Sequence, residues 1–265
     1  FQGRRVAAFV PAVLTTGVLA WAFGDWLSTN GIWWLEWVLL AFVVATFFWI
    51  ALAMGTATLG LAVHRNQQPA RAGATPEPLR VALLVPIYNE DTAEVFGNAS
   101  AMMSALRAAR SSHRFELFIL SDTQDSDMAV AEQRAYATLR ATMPPDAPVW
   151  YRRRLQNTER KVGNIAQWLE NWGGAYEAML VLDADSLMSP EAVIALSDEM
   201  SFDPTAGLIQ SAPLVVGSDT LFGRMQQFSA SVYGMLLSQG LAGWTGSEGN
   251  YWGHNAILRT RAFAD

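Results

Sequence analysis

Ala178-Met179-Leu180-Val181-Leu182-Asp183-Ala184-Asp185-Ser186 is a short apolar run that ends on two carboxylates. The run has the length and composition of a buried strand. Asp183 and Asp185 stand two residues apart, so at a frayed strand end both can turn toward one point. Two hard oxygen donors in that place are a seat for Mg²⁺ or Mn²⁺. A cation held by so few protein carboxylates completes its shell with phosphate oxygens, which points to a nucleoside diphosphate.

Outward from this strand, short apolar runs alternate with helical stretches. Val81 to Val85, Phe115 to Leu120, Val149 to Tyr151 and Ala206 to Ile209 read as further strands. Asp91 with Glu94 forms a capping box for a helix running to about Arg110. Other helices are expected over Met128 to Thr142, over Lys161 to Trp172 and from Pro190, whose missing N–H is harmless in a first turn. The alternation predicts a largely parallel sheet with helices on both faces, which binds ligands beyond the carboxyl ends of its strands.

Polar residues fall at those ends. Pro86-Ile87-Tyr88-Asn89-Glu90 follows the first strand. Pro86 stops the ladder, Tyr88 can stack on a base, and Asn89 and Glu90 can hydrogen-bond a base or sugar; an ordinary loop with a helix cap reads equally well. Asp122 follows the second strand and suits ribose hydroxyls or a uracil N–H, or a plain turn. Asp125 and Asp127 repeat the spacing of the first pair, but they directly precede a helix and read as capping. Lys161-Val162-Gly163-Asn164 opens a helix after Arg152, Arg153, Arg154 and Arg160. Lys161 can meet a diphosphate and Gly163 permits close backbone approach, or the group is a solvated basic face. The P-loop and Gly-x-Gly-x-x-Gly patterns are both absent.

Composition sets the outer bounds. The 265 residues carry a formal charge of −6, which argues against nucleic acid as a partner, and no cysteine, which excludes disulfides and zinc thiolates. Val6 to Phe23 and Trp37 to Val63 contain no charged residue; against the roughly 20 residues that a bilayer crossing needs, the second qualifies easily and the first, weakened by Pro11, Thr15 and Thr16, narrowly. Arg4, Arg5, Arg65 and Arg71 flank the outer ends, while Gly24 to Glu36 holds Asp25 and Glu36 but no Lys or Arg. The positive-inside rule then places both ends in the cytoplasm and the Trp-rich connection outside. Residues 1–64 are therefore expected to be two transmembrane helices, 65–79 a linker, and 80–265 a cytoplasmic domain. Leu221 to Leu241, apolar with Arg224, Gln226 and Gln227 on one side, reads as a helix at the membrane interface or as a buried core helix.

The order Pro-x-Tyr-Asn-Glu, aspartate, Lys-x-Gly-Asn, Asp-x-Asp resembles the family 2 processive glycosyltransferases, the group that includes cellulose and hyaluronan synthases. The longer strings Val85 to Asp91, Leu120 to Thr123, Lys161 to Ile165 and Ser247 to Ala256 resemble the bacterial inner-membrane branch that builds the backbone of osmoregulated periplasmic glucans. The resemblance implies a GT-A fold on a multi-pass membrane anchor, UDP-glucose as donor, and Mg²⁺ or Mn²⁺ on Asp183 and Asp185. It implies donor contacts from Pro86, Tyr88, Asn89, Glu90, Asp122, Lys161, Asn164 and Asp183. It implies a glucan acceptor beside Gln210, Trp252, Gly253, His254 and Asn255, and other glucan-synthesis proteins as partners. The family's catalytic aspartate lies in a motif beyond Gly-His-Asn, and its Gln-x-x-Arg-Trp motif lies further on; neither precedes Asp265. Two alternatives stay open at this stage: transfer of one sugar to a polyprenyl phosphate, and a membrane-tethered nucleotide-sugar-binding module without turnover.

Overall fold

The computed structural model describes residues 2–29, 31–65, 75–212 and 216–264. Most of the expected linker, with Arg71, and Pro213 lie outside the described residues. The chain forms two compact units: one holds residues 2–65 and 216–250, the other 75–211 and 251–264. Residues 216–250, which the sequence places in one block with the sheet, thus cluster with the N-terminal helices.

In the first unit, α1 (Gln2–Ser28) and α2 (Trp34–Arg65) are both long and apolar enough to cross a membrane. Trp21, Trp26, Trp33, Trp34 and Trp37 are all exposed around their connection. α7 (Leu221–Ser229) runs through a π-helical turn (Ala230–Gly234) into α8 (Met235–Thr245). No residue of α7 is buried, and Leu221, Phe222, Met225 and Phe228 are 61–78% exposed, so the buried-core reading of this segment does not hold for α7. α8 packs on α2 at backbone contact. A Cβ on Gly240 would stand 1.8 Å from the Thr56 carbonyl oxygen, and one on Gly60 would stand 1.8 Å from that of Leu236. Only a small residue permits such a crossing. Gly240→Val is expected to force the helices apart at a cost of about 1–3 kcal/mol, read as a lowered melting temperature of the full-length protein in detergent. Gly97→Ala is the matched control, because nothing lies within 4 Å of its Cβ position.

In the second unit the strands are β1 (Arg80–Ile87), β2 (Arg114–Ser121), β3 (Val149–Arg153), β4 (Ala178–Val181), β5 (Leu208–Gln210) and β6 (Ala256–Arg259). They form one sheet in the order β3-β2-β1-β4-β6-β5. β1 to β4 are mutually parallel, and β6 runs antiparallel to both of its neighbours. The helices are α3 (Thr92–Ala109), α4 (Ser126–Thr142), α5 (Arg160–Trp172), α6 (Pro190–Phe202) and the short α9 (Arg261–Ala264). Alternate strand residues serve opposite faces. Leu83, Val85, Leu117, Ile119 and Leu180 pack with Val95, Met103, Val193 and Met200 of α3 and α6. Leu84, Phe118, Leu120 and Met179 pack with Trp168 of α5 and Tyr176. Both faces are covered, which is why the strands read as continuous apolar runs.

The helix starts follow their caps. Asp91 accepts from the Glu94 N–H at 3.0 Å. Asp125 accepts from the Asp127 and Met128 N–H groups at 2.9 and 2.8 Å, so it caps α4 as its position before a helix predicted. Ser189 caps α6 with Pro190 in the first turn.

Candidate functional site

Parallel pairing delivers the carboxyl ends of β1 to β4 to one rim of the sheet. β6 arrives there from the other direction: Val181 pairs with Ala256, and the Asn255 N–H donates to the Val181 carbonyl at 2.8 Å. An antiparallel strand presents its amino end where its neighbour presents its carboxyl end. The segment 251–255 therefore lies beside Asp183 for topological reasons. A cavity of about 650 Å³ opens at this rim, within the size range of small-molecule sites.

Asp183 and Asp185 line the cavity, and neither is bound to an arginine among the described residues. The Asp183 N–H donates to the Ser186 hydroxyl at 3.3 Å and the Ser186 N–H donates to the Asp183 carbonyl at 3.0 Å, which fixes the turn that displays both acids. The Asp183 carboxylate accepts from the Lys161 ammonium and stands 4.0 Å from His254 Nδ1. Lys161 also donates to the Gly253 carbonyl at 3.0 Å. Burial, and then the charge of Asp183, pushes the Tyr251 phenol up to about 12, so it remains a hydrogen-bond donor near neutral pH. Asp185 is exposed and has no described side-chain partner. The two carboxylates share one wall and are hard donors, so they fit a divalent cation. No cluster of three or more acidic or histidine side chains suited to a metal occurs among the described residues. Other ligands would have to come from a bound phosphate and water.

Asp122 also lines the cavity, but both of its oxygens are engaged. Ser121 pairs with Arg153, so the next residues, Asp122 and Arg154, meet. Arg154 grips Asp122 with two bonds of 2.6 and 2.7 Å, the side chains being 9% and 5% exposed. The other arginines of the run are tied internally as well. Arg152 donates to Gln167 and to Asn164, and Arg153 donates to the Thr123 carbonyl. Burial and the neighbouring Arg154 charge lower the Arg152 pKa. The buried Glu132 accepts from the hydroxyls of Thr123 at 2.5 Å and Tyr151 at 2.8 Å. Burial and this bond push the Tyr151 phenol up.

Of the residues singled out for the donor, Pro86, Tyr88, Glu90, Asp122, Lys161, Asp183 and Asp185 line the cavity. Asn89 and Asn164 do not. Asn89 Oδ1 accepts from the Gln124 N–H, while its own N–H reaches Thr123 Oγ1 at 3.0 Å, so it pins one rim loop to the next. Asn164 is wholly buried, donating to the Leu120 carbonyl at 2.9 Å. Gly163 also faces its own chain: a Cβ there would lie 2.3 Å from the Thr158 carbonyl oxygen. The close approach that requires glycine is therefore made by the preceding turn. Ile87, Asn157, Arg160 and Ala184 complete the wall, and the sequence reading had not singled them out for the site. Arg160 stood next to Lys161 but looked like one more member of a basic run.

The acceptor candidates gather on the same rim. Gln210 Oε1 accepts from the Trp252 N–H at 3.1 Å, and the Ser211 hydroxyl donates to the Asn255 carbonyl at 3.0 Å. Gln210 Nε2, His254 Nδ1 and Asn255 Oδ1 are buried atoms without a hydrogen-bond partner. Trp252 is 44% exposed beside them. The group thus sets an open aromatic face beside three unsatisfied polar atoms that lie beneath the surface.

The model of glycosyl transferase family 2 matches residues 82–265. The chain belongs to glycosyl transferase family 2. Its mostly parallel sheet flanked by helices is the GT-A type of fold expected for this family. The chain is 42% identical over 259 residues to glucans biosynthesis glucosyltransferase H of Caulobacter vibrioides, covering 95% of this chain and 39% of that protein. It is 41% identical over 260 residues to the protein of the same name from Vibrio cholerae, covering 98% and 36%. The chain thus spans less than two fifths of the length of these relatives. Among solved structures, a mannosyltransferase from Pyrobaculum calidifontis in complex with GDP-Man and Mn²⁺ matches with a TM-score of 0.43 at 19% identity, over 61% of this chain and 44% of that one.

Proposed function

We propose that this chain forms the donor-binding part of an inverting, metal-dependent glucosyltransferase of the bacterial inner membrane, which transfers glucose from UDP-glucose to a growing β-glucan of the periplasmic type. The observation that carries the proposal is the placing of Asp183 and Asp185 open to one cavity at the sheet rim, with Lys161 between them and the Gly253 loop. Relatives named for glucan biosynthesis support glucose and glucan as substrates. In this reading residues 1–64 anchor the protein by two crossings, 65–79 link, and 80–265 work in the cytoplasm. The exposed apolar face of α7 lies along the lipid surface.

Tyr88 stacks on the uracil, Glu90 accepts from base and ribose, Asp122 accepts from them only through the lone pairs that its bonds to Arg154 leave, and Lys161 meets the diphosphate. Asn89 and Asn164 hold the loops that carry these groups. A divalent cation on Asp183 and Asp185 would supply Lewis-acid neutralisation of the departing diphosphate. Gln210, Trp252, Gly253, His254 and Asn255 hold the terminal acceptor sugar, with Trp252 against its ring. The family resemblance assigns deprotonation of the attacking hydroxyl to an aspartate in a motif that follows Gly-His-Asn. Full-length protein in nanodiscs, given labelled UDP-glucose and Mg²⁺ or Mn²⁺, is expected to make soluble glucan chains resolvable by mass spectrometry. A single glucose on a polyprenyl phosphate, or UDP binding without any product, would overturn the assignment.

A further inference from the structure

The turn before α5 holds Glu159 and Arg160 at φ 56° and 51°, both in the left-handed region without being glycine. Such residues persist only where their surroundings over-determine them. Here the bracing is visible. Arg154 Nη2 donates to the Arg160 carbonyl at 3.0 Å, the Gly163 N–H donates to the Glu159 carbonyl at 3.2 Å, and the Thr158 carbonyl fills the space beside Gly163. The turn displays the Arg160 side chain on the cavity wall with Tyr88, Asp183 and Asp185. Arg152, Arg153 and Arg154 are all tied to the protein, and Lys161 is tied to Asp183. The Arg160 guanidinium has no hydrogen bond or ion pair among the described residues, although it stands exposed in a wall rich in carboxylates.

We propose that Arg160 is a second diphosphate-binding cation of the donor site, its planar fork receiving phosphate oxygens of a nucleoside diphosphate. The proposal rests on the donor-site assignment above and extends it to a residue that neither the motifs nor the comparisons single out. A guanidinium suits the task because it stays charged and offers parallel N–H donors matched to phosphate. Lys161 alone must leave Asp183 to reach the diphosphate, whereas Arg160 is already uncommitted. The strained backbone is then the consequence of aiming a long cation into the cavity from the first residue of a helix.

Full-length protein in detergent with Mg²⁺ is titrated with UDP by calorimetry and with uridine by ligand-observed NMR. Arg160→Gln and Arg160→Gly are each expected to weaken UDP roughly tenfold to a hundredfold, with uridine affinity within about twofold of native on the same argument. Arg160→Lys is expected to recover part of the loss. Arg160→Gly is expected to keep or raise the melting temperature, since glycine accepts the left-handed conformation. Unchanged UDP affinity in Arg160→Gln overturns the proposal while leaving the donor site standing. Equal weakening of UDP and uridine, or a fall in melting temperature with Arg160→Gly, makes the residue a brace and overturns it as well. Native protein that binds neither UDP nor uridine would sink the donor site itself.

Discussion

Full-length protein carrying Asp185→Ala is expected to lose roughly a thousandfold in glucose transfer while melting at the native temperature. The two halves of this result have separate causes. Asp185 is exposed, and its side chain has no described partner, so removing it leaves no buried group unsatisfied. Substitutions of that kind shift stability by no more than about 0.5 kcal/mol. Its carboxylate is, however, one of the two acids that the turn after β4 displays on the wall where a cation would sit. Asp183→Ala is a poorer probe, because it also strands Lys161 and removes the neighbour of His254. The measurement is initial rate against Mn²⁺ concentration, with EDTA as a control. Near-native turnover that ignores EDTA would refute the metal seat.

The second large effect is on folding. Arg154→Met is expected to destabilise the sheet unit by about 3–5 kcal/mol, since it leaves the Asp122 carboxylate buried without its partner. The native pair makes two bonds of 2.6 and 2.7 Å with almost no solvent contact. Asp122→Asn in the same background is expected to restore part of the loss by removing the uncompensated charge. Thermal unfolding of the native, single and double variants closes the cycle. A single variant within about 0.5 kcal/mol of native would show that the carboxylate finds water instead.

The parallel core was legible because strands buried on both faces leave an unbroken apolar signature, as at Val81 to Val85 and Met179 to Leu182. β6 was not. Ala256 to Arg259 is four residues long and directly follows a string that reads as a sugar-binding motif. Its reversed direction also leaves no trace in periodicity. β3 runs on to Arg153 because partners elsewhere absorb its arginines: α5 takes Arg152, and the loop after β2 takes Arg153. The acids of the rim were visible from the strand they terminate. The inward commitments of Asn89, Asn164 and Gly163 were hidden, because each is made to a segment tens of residues away or to a turn whose geometry no spacing encodes. Asp122 belongs to the same group: its arginine is identified only once the register of β2 against β3 is known.

Lys161 holds a carboxylate with one hand and the Gly253 carbonyl with the other. An incoming diphosphate therefore competes for a cation that also tethers the rim segment 251–255. Under the proposed function, filling the cavity and the position of segment 251–255 are coupled through this one ammonium group, and the coupling acts equally in both directions.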